Sequence, residues 1–374
     1  MTAPAPDAAP VVLFAGGGTG GHLYPALAIA RTLVRLAPVV RPLIVGARRG
    51  IERDVLPQQP FSYELLDLHP MYRPAIWRNW RTARGMVGAW GQLGNIVARR
   101  RPRLVVGTGG YASGLPLAYA VAHSIPIVQQ IADSHPGITA RWFTRFSREC
   151  YLGYPEAAPF LSSRKGAKLI DTGNPIEPPI LPRPNRQPGR KAWGFPADGT
   201  VVLLVFGGSQ GSRAINEAID AWVSRGLPDG LGVIWATGQG NFERYAGRES
   251  AAVRVRPYLS PIADAYTVAD MALTRAGAMT TAELCAWGIP MVLVPLPTAA
   301  ADHQTANARA LAEAGAAICL PQTELSSDKI AGTIESLKND HRRRESIAAR
   351  ALARGRPGAA EDIARRILSL IELR

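Results

Sequence analysis

One pattern occurs twice, and it constrains the fold more than any other feature of the chain. Val11-Val12-Leu13-Phe14-Ala15 is a short apolar run, followed by Gly16-Gly17-Gly18-Thr19-Gly20-Gly21-His22 and a helical pattern from Pro25 through Leu33. About 190 residues later, Val201 to Phe206 lead into Gly207-Gly208-Ser209-Gln210-Gly211-Ser212-Arg213 and a helix carrying Ile215, Ala218, Ile219 and Trp222. A strand buried on both faces, a glycine turn and a helix N-terminus make the opening unit of a doubly wound α/β domain. Two copies predict two such domains, which 374 residues allow. Further apolar runs at Leu43–Val45, Leu104–Val106, Ile125–Val128, Val233–Trp235 and Met291–Val294 predict parallel sheets. Pro175–Arg190, with six prolines in sixteen residues and no periodicity, reads as an interdomain linker. A cleft between the domains is the default ligand site.

The 47% apolar content excludes intrinsic disorder. No apolar stretch reaches the ~18 residues of a membrane span, and Met1–Pro10 lacks the regions of a signal peptide, so a cytoplasmic location is expected. Cys150, Cys285 and Cys319 are too scattered for a metal or redox pair and read as buried small hydrophobes. The net charge of +14 is uneven. Up to Pro175 there are 20 basic and 9 acidic residues, a net +11; the remainder holds 23 and 20, a net +3. A basic folded domain points to phosphates on its partner, whether nucleic acid, anionic lipid or a phosphorylated small molecule.

Glycines after a strand let backbone N–H groups approach an anion, and the helix dipole adds about half a positive charge there. Gly16, Gly18 and Gly21 fit GxGxxG, but a NAD site wants an acidic residue at the end of the second strand, and Val45–Arg49 offers none. Both loops lack the GK[ST] of a P-loop. A third cluster, Gly107-Thr108-Gly109-Gly110-Tyr111-Ala112-Ser113-Gly114, follows the strand ending at Val106. The first domain thus carries two anion-ready turns, able to hold a diphosphate unless they serve only the fold.

Six ordered motifs carry a resemblance. They are Gly16–His22 with Pro25-Ala26, Gly107–Gly114, Thr172-Gly173-Asn174-Pro175, Phe206–Gly211, Arg275-Ala276-Gly277-Ala278-Met279-Thr280-Thr281-Ala282-Glu283, and Asp302–Ala308. Over nearly its whole length the chain resembles the MurG family, the bacterial UDP-N-acetylglucosamine:lipid I N-acetylglucosaminyltransferases of peptidoglycan synthesis. The resemblance implies a GT-B architecture, two Rossmann-like parallel-sheet domains facing a cleft. An acceptor domain would span 1–176, a linker 177–190 and a UDP-GlcNAc domain 191–355, with a helix at about 356–374 packing back on the first domain. It implies an inverting transfer of GlcNAc to the C4 hydroxyl of the muramyl sugar, giving lipid II.

By that resemblance His22 is the candidate base, its imidazole pKa suiting the role; the alternative is a helix-start histidine bonded to a loop carbonyl. Gly18, Thr19, Gly20, Gly21, Gly109, Gly110 and Tyr111 would hold the acceptor, and Thr19, Gly20 and Gly21 also the donor. Ser209 and Gln210 would contact the nucleotide, the Leu259 backbone the uracil, and the helix opening at Ala278, Met279 and Thr280 the diphosphate. Glu283 would bind the ribose hydroxyls, and Gln304, with His303 and Asn307, those of GlcNAc. No DxD motif occurs, so neither metal nor cofactor is expected.

Two departures stand out. Gln130-Ile131-Ala132-Asp133 replaces the family's His-Glu-Gln-Asn, making Asp133 a second catalytic candidate. Glu177 stands where a donor-contacting arginine is usual, and Arg183, Arg186 and Arg190 are possible substitutes. Alternatives are therefore a related GT-B transferase with another polyprenyl or small-molecule acceptor, or a non-catalytic nucleotide-sugar binder. Ile76, Trp80, Ala83, Val87, Trp90, Gly94 and Val97 form a helical stripe that reads mostly as core. Tyr72, Trp77, Arg78, Trp80 and Arg81 have the amphipathic composition of an interfacial surface. Expected partners are UDP-GlcNAc, lipid I, anionic lipid at the cytoplasmic face of the inner membrane and other wall-synthesis proteins, with no nucleic acid.

Overall fold

The computed structural model describes residues 9–68, 80–161, 167–180 and 184–372. Residues up to 177, together with those from 358 onward, form one compact unit; residues 178–357 form another. In the first, β1 (Val11–Gly16), β2 (Arg41–Ala47), β3 (Ser62–Leu66), β4 (Leu104–Gly109), β5 (Ile127–Ile131), β6 (Ser147–Leu152) and β7 (Lys168–Asp171) make one sheet, ordered β3-β2-β1-β4-β5-β6-β7. Its helices are α1 (Gly20–Leu36), α2 (Glu52–Val55), α3 (Trp80–Arg100), α4 (Tyr111–Ala122) and α5 (Ile138–Thr144).

In the second unit the helices are α6 (Arg186–Ala192), α7 (Arg213–Arg225), α8 (Phe242–Tyr245), α9 (Ala263–Val268), α10 (Ala278–Trp287), α11 (His303–Glu313), α12 (Ser327–Asn339) and α13 (His341–Arg354). The sheet comprises β8 (Val201–Phe206), β9 (Leu231–Ala236), β10 (Val253–Arg256), β11 (Met271–Thr274), β12 (Met291–Leu293) and β13 (Ala317–Cys319), ordered β10-β9-β8-β11-β12-β13. The last helix, α14 (Ala359–Glu372), belongs to the first unit.

All neighbouring strands pair in parallel. Parallel strands need crossover helices on both faces, and β1 shows why its sequence is apolar throughout. Val12 and Phe14 point into a core shared with Leu23, Leu27 and Leu33 of α1. Leu13 and Ala15 point the other way, toward Leu93 of α3 and Leu117 of α4. The strand order reverses between β1 and β4, and again between β8 and β11. Such switch points are where doubly wound sheets open to ligands, beyond the strand C-termini. The glycine loops lie at those ends.

Helix α14 completes the first core. Ile363, Ala364, Ile367 and Ile371 pack among the α1 residues, and Arg35–Glu361 at 3.1 Å bridges the two helices at the surface.

Two expectations need correction. The stretch read as an interdomain linker without periodicity contains the start of α6, capped by Asn185, whose side chain accepts from the Gln187 N–H. On α3 the core row is Ala89, Leu93 and Ile96, whereas Val87 is 77% exposed. The expected stripe had the right period but the wrong face. Trp90 instead lies half-exposed against the Tyr119 ring, centroids 4.9 Å apart. Tyr72, Trp77 and Arg78, and the side chains of Trp80 and Arg81, lie outside the described residues.

Candidate active site

In the first unit the glycine loops lock together. Gly17 N–H donates to the Gly109 carbonyl at 3.3 Å. Gly110 has φ +75°, and a Cβ there would sit 2.0 Å from the Gly17 carbonyl oxygen, so both the backbone angle and the close approach require glycine. Buried Thr108 ties the second loop to α1, its Oγ1 donating to the His22 carbonyl at 2.8 Å. His22 Nδ1 lies 3.1 Å from the Thr108 carbonyl. A carbonyl only accepts, so Nδ1 carries the proton and the neutral ring's lone pair is on Nε2. The loop-carbonyl bond of the structural reading is therefore present, and the tautomer it sets is compatible with the base reading.

An acidic residue does lie just past the end of β2. Glu52, the first residue of α2, is fully buried and reaches back under the first loop. Its Oε1 accepts from Gly18 N–H at 2.8 Å and Ala47 N–H at 3.1 Å. The Gly17 and Gly18 amides are therefore committed within the protein and do not face an anion, which corrects their reading as part of a diphosphate cradle. Among the described residues no acceptor is recorded for the amides of Thr19, Gly20 and Gly21, and no side chain caps α1. Tyr111 packs against Gly18, and burial, then the Glu52 charge, holds its phenol above the usual tyrosine range.

At the end of β5, Gln130 is buried, donating to Asn174 Oδ1 at 2.8 Å, while Asn174 Nδ2 donates to the Ala132 carbonyl at 3.0 Å. The altered motif therefore turns its first residue into the interior. Asp133 is half-buried just beyond it.

In the second unit, Ser209 and Gln210 are exposed on the loop after β8, whose following helix is capped by Ser212 Oγ accepting from Ile215 N–H. Leu259 is buried beyond β10. Helix α10 begins after Gly277 with no side-chain cap on its first turn; Ala278 is buried, and Met279 and Thr280 are partly exposed. Glu283 Oε2 accepts the Tyr266 hydroxyl at 2.7 Å. Burial and the Glu283 charge raise that phenol well above its ordinary value, so it stays a donor.

The turn before α10 is braced against the chain after β12. Arg275 donates to the carbonyls of Val294 at 3.2 Å and Pro295 at 3.1 Å. Gln304 Oε1 accepts from Leu296 N–H at 3.1 Å, and His303 Nδ1 meets the Ala300 carbonyl at 2.7 Å. Ala301 and Asp302 both have φ +54°, a left-handed pair immediately before His303. Strain of this kind, of order 1–3 kcal/mol per residue, collects at functional sites. Asn307 is a correction: it is wholly buried and donates to the Ala276 carbonyl at 3.2 Å, supporting the turn from beneath. Arg186 and Arg190 are another. Both bind Asp270, at 2.8 and 2.9 Å, and Asp270 also accepts from Val202 N–H. That cluster lies at the strand N-termini, the end opposite the ligand loops. Arg183 lies outside the described residues.

Sequence reasoning missed Glu52, Tyr266 and Arg275. Arg275 stood inside a recognised motif without a role; Tyr266 had no local signal. Glu52 did carry a signal, an acidic residue one turn past β2.

Residues 12–152 match the glycosyltransferase family 28 N-terminal domain, and residues 202–363 the glycosyltransferase family 28 C-terminal domain. A relative from Moorella thermoacetica is 36% identical over 376 residues, covering 96% of this chain and 99% of its own. One from Chlorobaculum parvum is 38% identical over 365 residues, with coverage of 96% and 99%. Both are named UDP-N-acetylglucosamine–N-acetylmuramyl-(pentapeptide) pyrophosphoryl-undecaprenol N-acetylglucosamine transferase. The crystal structure of Acinetobacter baumannii MurG superimposes with a TM-score of 0.75 at 24% identity, covering 96% of this chain and 99% of that one. The calicheamicin glycosyltransferase CalG4 gives 0.68 at 17%, with coverage of 97% and 98%. The fold is GT-B, and the chain belongs to the MurG family of glycosyltransferases.

Proposed function

We propose that this chain transfers GlcNAc from UDP-GlcNAc to the C4 hydroxyl of the muramyl sugar of lipid I, forming lipid II with inversion at the anomeric carbon. The observation that carries the reading is His22, held in the Nδ1–H tautomer at the β1/β4 switch point of a chain 36–38% identical to enzymes named for this transfer. Nε2 takes the hydroxyl proton as O4 attacks C1, and the C1–O bond to UDP breaks. The first-turn amides of α10 receive the departing diphosphate, and their fixed dipoles need no reorganisation as charge develops. Glu283, oriented by Tyr266, accepts from the ribose hydroxyls; Ser209, Gln210 and the Leu259 backbone hold the nucleotide; Gln304 and His303 hold the sugar. Asp133 is a second carboxylate near the acceptor, and neither metal nor cofactor takes part. Incubation with UDP-GlcNAc and a soluble lipid I analogue tests this: UDP release must require that acceptor. Turnover with a different acceptor alone, or donor binding without turnover, overturns it.

The same reading makes the protein peripheral at the cytoplasmic face of the inner membrane. Among the described residues no helix is long and apolar enough to cross a membrane. Support comes from α5 and the residues after it, where Ile138, Trp142 and Phe146 are 62%, 57% and 45% exposed. The Arg145 guanidinium lies 5.3 Å from the Trp142 ring and 5.6 Å from that of Phe146, and exposed Arg148 follows. Aromatic rings flanked by arginines suit an anionic headgroup layer.

A further inference from the structure

We infer that Glu52 is a positioning residue for the acceptor half of the reaction: its single oxygen Oε1, bonded to the amides of Gly18 and Ala47, fixes where α1 begins and so where His22 stands. The inference rests on the transferase reading above.

The side chain is walled in by glycine. A Cβ at Gly17 would come within 1.8 Å of Oε1, one at Gly46 within 2.7 Å of Cγ, and one at Gly50 within 1.9 Å of Oε2. Three glycines, one in the loop after β1, one in β2 and one in the turn before α2, thus leave room for one carboxylate. Its Oε2 is buried with no hydrogen-bond partner among the described residues, and no ion pair is recorded for it there. Burying a carboxylate on two backbone amides is costly, and a purely structural filler of this volume is better made apolar. What the carboxylate does instead is local. It turns the Gly18 amide inward at φ +87°, and the next residue, Thr19, is the N-cap of α1. His22 follows within one turn, held from the other side by Thr108. The imidazole is therefore clamped between a bond from β4 and a loop whose path Glu52 sets, and sub-ångström placement of a base matters to rate.

Because one oxygen takes both amides, Glu52→Gln can keep both bonds, while Glu52→Ala loses them. Glu52→Asp stays acidic but withdraws the oxygen by one methylene. Steady-state kinetics with a lipid I analogue should show kcat for Glu52→Gln within about threefold of wild type. For Glu52→Ala and Glu52→Asp, kcat should fall at least tenfold with KM for UDP-GlcNAc unchanged. Amide hydrogen exchange over residues 16–23 should quicken in the Ala and Asp variants and not in Gln. Wild-type exchange in the Asp variant, or a Gln variant as impaired as Ala, overturns the inference. Should Glu52→Ala fail to fold, the Asp and Gln pair decides alone. A wild-type protein without acceptor-dependent turnover refutes the transferase reading, while the exchange measurement still judges Glu52.

Discussion

His22 shows how little geometry separates a structural histidine from a base. The bond from Nδ1 to the Thr108 carbonyl serves packing, and it also fixes the proton that leaves Nε2 able to accept. His22→Ala should lower kcat by about 10²–10⁴-fold, the usual worth of a positioned base, and leave UDP binding by calorimetry unchanged. Glu283 depends in the same way on Tyr266. Tyr266→Phe removes one hydrogen bond to a charged group, worth about 1.5–3 kcal/mol, so KM for UDP-GlcNAc should rise roughly tenfold or more with kcat little changed. The cysteines carry a pH prediction. Burial pushes the Cys150 thiol up to about 11 and the Cys285 thiol up to about 12, from 9.0. The folded state keeps protons that the unfolded chain releases, so this stability is complete below about pH 9 and is lost as pH rises toward those values. Melting temperature should decline between pH 9 and 11, less steeply in Cys285→Ala. Buried Tyr151 and Tyr266 act with the same sign, so the slope will not vanish.

At the scale of elements, the glycine turns govern function. Gly110→Ala forces a Cβ into the Gly17 carbonyl at a left-handed angle, so it should destabilise the first unit and abolish turnover while UDP binding by the second survives. These turns were legible in the sequence because glycine, strand and helix signals coincide there. The central strands were legible for a related reason: burial on both faces demands a continuous apolar run, as in β1, β4, β8 and β9. The sheet-edge strands β3, β7, β10 and β13 were not. Edges are half-solvated, and Lys168–Asp171 or Val253–Arg256 carry charges that break the run. Helix α3 displayed its period, but its Gly- and Ala-rich sequence left the buried face undetermined. At the site, motif residues were visible, and Glu52 lay only one turn past β2, whereas a brace such as Tyr266 acts through a contact with a separate helix, which no local pattern encodes.

For the whole molecule, the proposed membrane reading assigns part of the charge asymmetry seen in the sequence to the aromatic, arginine-bearing surface around α5. Vesicles containing anionic lipid should co-sediment the protein at low salt and release much of it at high salt. Trp142→Ala combined with Arg145→Ala should weaken that binding with unchanged turnover of a soluble acceptor. Ile367, fully buried in the first unit's core, should cost about 2–5 kcal/mol when changed to Ala, seen by denaturant unfolding of that unit. The return of α14 to that core has a further consequence, for synthesis. On the ribosome, residues 178–357 are translated before the segment that completes the first hydrophobic core. Residues 178–357 can therefore fold while the first unit still lacks α14, so the unit that begins the chain closes its core only after the other has been made.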